Sequence, residues 1–145
     1  MTETSNIPLF NVSYTLKTSA KTAVLFGALW GGWAWWINSA HGSDIAMRAA
    51  QTQVAFTIVN AFVYSLLMEG IFFAIQPVAW RNIITFAIPN TAVTVLLISI
   101  HSWRGTPNVL VTSAAPLAIV FALSILYIMV IGPKRLAAQK HPMKE

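Results

Sequence analysis

The chain contains no cysteine. That excludes disulfides, zinc–thiolate sites, thiolate-held iron–sulfur clusters and thiol nucleophiles. Charge is scarce too: 9% of the 145 residues are Asp, Glu, Lys or Arg, against about 25% in an ordinary soluble domain. Acids are scarcest, four in all, with Asp44 the sole aspartate, so a catalytic pair of membrane aspartates is excluded. No HExxH helix, phosphate-cradling glycine loop or local nucleophile–base arrangement occurs. Nothing in the order of the residues points to catalysis.

What is abundant is hydrocarbon. Hydrophobic residues make up 57% of the chain, which leaves too little polar surface to face water on all sides. Lipid is the expected solvent. The net charge of +5 sits at the ends of apolar runs, which fits a membrane surface rather than nucleic acid.

Four apolar segments lie near residues 20–38, 46–75, 82–101 and 107–131. Each has the roughly 20 residues a helix needs to cross about 30 Å of hydrocarbon. Helices are the expected spanning form, because backbone polar groups find no water in lipid. The prediction is an all-α membrane protein with four transmembrane helices in an up-down-up-down bundle over residues 20–131. Residues 1–19 form a cytoplasmic tail that lies along the membrane surface, and residues 132–145 a basic cytoplasmic tail. A shift of 60 aligns seven identical residues over the 54 pairs from position 21 to 74. Chance gives nearly as many in so apolar a chain. The halves read as two similar helical hairpins, without establishing a duplication.

Helix punctuation is visible at the segment ends. Ser43 is placed to cap the second helix, with Asp44 favouring its N-terminal dipole. Pro77 stops that helix. Thr106 and Pro107 read as N-cap and first residue of the fourth helix, and Gly132–Pro133 as its end. Lys17, Lys21, Arg81, Lys134, Arg135, Lys140 and Lys144 fall on one side, against Arg48 and Arg104 on the other. Both termini are then cytoplasmic, and a bacterial inner membrane suits the pattern.

The stretch "LWGGWAWWINSAHG" places four tryptophans within seven positions. At about 100° per residue, Gly27, Gly31 and Ala34 share one narrow stripe. This is a GxxxG-type seam where a neighbouring helix can approach closely. Trp36 is placed as an interfacial anchor, whereas Trp30 near mid-helix has no assigned role.

Polar residues inside the spans are the site candidates. Gln53, Asn60, Asn90 and Thr94 line an expected ligand pathway, with Asn60 and Asn90 near the bilayer centre. Arg48, His101 and Arg104 stand at its outer mouth, and Glu69 and Arg81 at its inner one. Glu69 is expected to pair with Arg81, the alternative being a proton or cation gate. His41 and His101, at one depth, admit a b-type haem between the helices, or are hydrated interfacial residues. No metal or other cofactor is expected. The leading function is to bind or pass a small or lipidic molecule, in a homo-oligomer within the bilayer. A non-catalytic subunit or assembly factor of a larger membrane complex is the alternative, and a haem electron carrier the third.

Overall fold

The computed structural model describes residues 12–140. Five helices follow in order: α1 (Val12–Asn38), α2 (Ser43–Ala74), α3 (Val78–Trp103), α4 (Val109–Leu126) and α5 (Gly132–Lys140). A 3₁₀ turn, Ser39–His41, leads from α1 towards α2. A π turn, Tyr127–Ile131, carries α4 directly into α5. α1 packs on α2, α2 on α3 and α3 on α4, and α4 closes back on α1. Among the described residues, three stretches have the length and composition of membrane spans: Ser43–Ala74, Val78–Trp103 and Val109–Ala137. α1 lies outside that set. Its tryptophans, glycines and the lysines at 17 and 21 dilute its apolarity.

The connections α1–α2 and α3–α4 lie together at what we call the two-loop end. The start of α1, the Ile75–Pro77 turn and α5 form the opposite, tail end. Both two-loop connections turn through a glycine with positive φ, Gly42 at 105° and Gly105 at 68°. At Gly105 the chain makes a paired cap. Thr106 N–H donates to the His101 carbonyl (3.0 Å) and Gly105 N–H to the Ser102 carbonyl (3.1 Å). This is the Schellman arrangement, with glycine at the left-handed position.

Several boundaries differ from expectation. Thr106 completes the end of α3 rather than capping α4, whose cap position is Asn108, with Thr112 N–H on the Asn108 carbonyl (2.8 Å). Ser43 is already helical and Gly42 precedes it without a side-chain cap, while Asp44 stands in the first turn. The expected stop at Gly132–Pro133 is absent. The π turn supplies an i−5 bond, Gly132 N–H to the Tyr127 carbonyl, and at this widened turn Pro133, which has no N–H to give, enters the continuing helix. Residues 12–19 are helical within α1 and residues 132–140 within α5. The remainder of both expected tails lies outside the described residues.

Two glycines set helix spacing. A Cβ on Gly31 would stand 2.5 Å from Cγ2 of Val54, and one on Gly132 would stand 2.6–2.9 Å from the Phe72 ring. Gly27 has ordinary room, 3.9 Å from Ile58. α1 meets α2 at Gly27 and Gly31; Ala23 and the fully buried Ala34 are enclosed on the same helix, whereas Ala20 is exposed.

Candidate functional site

The two-loop end is closed by side chains that bond between helices. Asn38 of α1 is fully buried and donates to Thr112 Oγ1 of α4 (2.9 Å) and to its own Ala34 carbonyl (2.8 Å). Asn108 returns the contact, through its N–H to Asn38 Oδ1 (3.3 Å) and its amide to the Ile37 carbonyl (3.2 Å). His101, also fully buried, has Nδ1 2.9 Å from Thr106 Oγ1 and Nε2 2.9 Å from Gln53 Oε1. With the Gln53 amide in this orientation, Nε2 carries the ring proton and Nδ1 accepts from the Thr106 hydroxyl.

At mid-depth a second cluster ties three helices. The Tyr64 hydroxyl donates to Asn90 Oδ1 (3.0 Å) and meets the Ser124 hydroxyl, while Asn90 Nδ2 reaches Ser124 Oγ at 3.1 Å. Asn90 is buried, so its carboxamide faces the bundle interior.

Between these clusters and the tail end, α1 and α4 stand apart. Among the described residues, the hydrogen bonds between α1 and the α4 region are at the two-loop end. Below them a half-open cavity of about 360 Å³ lies between α1, α2 and α4. One wall follows α2 in steps of four: Gln53, Thr57, Ala61, Ser65 and Glu69. Such a row is inclined about 26° to the helix axis. Sixteen residues of α2 give it a length of about 24 Å. Asn60, Tyr64 and Met68 broaden this wall. Phe26 and Trp30, stacked with centroids 6.0 Å apart, supply the α1 side, and Leu117, Val120 and Leu123 the α4 side. The lining is mostly apolar, with polar groups concentrated on α2.

The tail end of the cavity is charged. Glu69, 2% exposed, forms an ion pair with Arg135 of α5, and both line the cavity. Arg81, the expected partner of Glu69, is engaged with an aromatic ring. Its guanidinium lies over the Phe72 ring, 4.5 Å from the centroid. The continued helix α5 is what brings Arg135 to Glu69, whereas an end at Gly132 would have left Arg81 as the nearest expected cation.

Of the residues expected on a pathway, Gln53, Asn60 and Glu69 line this cavity. Asn90 stands behind Tyr64 and Ser124, and Thr94 bonds the Asn90 carbonyl (2.7 Å). His101 is sealed behind Gln53. Arg48 and Arg104 are exposed at the two-loop end. His41 is exposed and its Nε2 is 3.1 Å from the Asn108 amide. Both ring nitrogens of His101 are engaged, so axial ligation of a haem would require breaking one of its two bonds. Among the described residues no group of three or more His, Asp or Glu could hold a metal ion. Sequence reasoning missed Ser124, Tyr127 and Arg135, the last because Gly-Pro was read as a helix end.

Fold and site define a class: a small helical bundle of membrane-span composition, locked at one end and hollow towards the other. No protein-family model, curated protein or solved structure matches the chain.

Proposed function

We propose that this is an integral membrane protein that binds a lipidic molecule in the crevice between α1 and α4. In this reading α1 crosses the membrane with the other helices, both termini face the cytoplasm, and the two-loop end faces outward. A bacterial inner membrane suits that charge pattern. The observation that carries the reading is the cavity itself. It has the size of a ligand site, walls that are largely hydrocarbon, and a few polar groups on one wall to orient an occupant. Binding is favoured over passage because the buried Asn38, Gln53, His101 and Thr112 close the two-loop end. Arg48 and Arg104 are then surface charges rather than a mouth.

Trp30 is the natural reporter, since it lines the cavity. In nanodiscs, a brominated acyl probe should quench Trp30 saturably, read as the difference between the native protein and Trp30→Phe. Filling the cavity with Ala61→Phe should abolish that saturable component. Quenching that neither saturates nor responds to Ala61→Phe would refute the site.

A second reading, a subunit of a larger membrane complex, is supported by the opposite side of the α1–α2 seam. There Ala28, Gly32, Met47, Gln51 and Ala55 line a shallow groove, and nothing stands within 4 Å of a Cβ added at Gly32. Small residues of this kind let a further helix approach. Mild-detergent extraction that yields a stoichiometric partner supports the subunit reading, and homo-oligomers or monomers alone argue against it.

A further inference from the structure

The tail end of the cavity holds polar atoms that the protein itself does not answer. Ser19 is 2% exposed and lines the cavity, yet its Oγ has no hydrogen-bond partner among the described residues. Other helix hydroxyls here fold back on the carbonyl four residues earlier: Thr52 on Arg48, Ser65 on Ala61, Thr94 on Asn90. Ser19 does not. The Tyr127 hydroxyl, from another lining residue, is likewise buried without a partner. Buried hydroxyls are rarely left so, because each gave up its water on burial.

Charge at this end is one-sided. Among the described residues it gathers Lys17, Lys21, Arg81, Lys134 and Arg135 against the single carboxylate of Glu69. Arg81 Nε has no hydrogen-bond partner. A cationic group arriving here would meet this excess, and an uncharged one would leave it unanswered. An oxyanion would accept from the hydroxyls and lie in a favourable potential. Above it, Phe26, Trp30 and Leu123 present largely apolar surface opposite the polar row on α2. The space, about 360 Å³ spread over some 24 Å, suits one narrow chain rather than two.

We propose that the occupant is a single-chain amphiphile with an anionic oxyanion head, seated at Ser19, Tyr127 and Arg135 with its chain running towards Gln53. This rests on the cavity being a binding site, and the test separates the two ideas. The full-length protein in neutral detergent is offered hexadecyl phosphate, hexadecanol or hexadecyltrimethylammonium, and 1:1 adducts are read by native mass spectrometry. Hexadecyl phosphate should be retained about tenfold more than either of the others. The double variant Ser19→Ala/Tyr127→Phe should lose that preference, with its ligand-free melting temperature no lower than the native protein's, since the oxygens removed have no hydrogen-bond partner among the described residues.

Equal retention of all three probes, or a preference for the ammonium, overturns the anionic head while leaving the cavity reading standing. An undiminished preference in the double variant also overturns it. Absence of adducts with every probe brings down the cavity reading itself. Inorganic phosphate that displaces hexadecyl phosphate completely assigns the site to a bare oxyanion and overturns the amphiphile.

Discussion

The two ends of this bundle bury polar groups in opposite ways. At the two-loop end, Asn38 meets Thr112 and Gln53 meets His101 across helices, and Thr106 at the end of α3 takes the second His101 nitrogen. Among the described residues only Ser113, of the buried side chains towards that end, has a polar atom with no hydrogen-bond partner. In the tail half, Ser19, Arg81, Asn82, Thr85 and Tyr127 each carry one. In a low-dielectric interior a satisfied network fixes geometry, and an unsatisfied one is costly until something meets it. The first end is a lock. The second has the character of a receptor.

The largest effect should come from breaking the lock. His101→Leu leaves Gln53 and Thr106 buried without their partner, and should cost about 3 kcal/mol in a detergent unfolding titration. Adding Gln53→Leu should recover part of that loss, because removing both partners is far cheaper than stranding one. A double variant no better than the single would show that the bond is not what holds this end.

At the tail end the comparable perturbation is Arg135→Ala. It strands Glu69 among apolar side chains and should cost somewhat less, about 2–3 kcal/mol, since Arg135 is 24% exposed. An unchanged melting temperature would mean the carboxylate finds another cation or takes up a proton. Gly132→Ala should cost about 1–3 kcal/mol by pressing a methyl into Phe72, and α5 should lose helicity with it, read by hydrogen exchange across residues 132–140. The smallest effect is expected at Asn60→Leu. This half-buried residue lines the cavity, and its loss should shift stability by under about 0.5 kcal/mol. Lipid binding is where its loss should register. A large stability loss would move Asn60 from the ligand wall into the scaffold.

The helices themselves were legible, because apolar length and polar punctuation are local properties. Asn60 and Asn90 announced themselves as isolated carboxamides in hydrocarbon, and Glu69 as the only acid of a span. What escaped was anything set by how helices cross. Projected down the axis, Glu69 falls nearly opposite Gln53. The neighbouring helices follow the inclined row of fours instead, which carries both residues into one cavity. Thr106 was misassigned because a threonine before a proline looks the same whether it opens the next helix or finishes the last. Its bonds back to His101 decide the matter. Trp30, without a role by pattern alone, lines the cavity beside Phe26.

The π turn between α4 and α5 behaves as one surplus residue threaded into a screw. Its effect is on phase: everything beyond Ile131 is rotated by about 100° relative to an uninterrupted helix. The contact between Arg135 and Glu69 therefore depends on the count of residues between Tyr127 and Gly132, not only on their identity. Deleting one residue there would leave the composition, hydropathy and charge of the helix almost untouched, yet turn the guanidinium away from its carboxylate. The charged floor of the cavity is written as a number of steps as much as a choice of side chains.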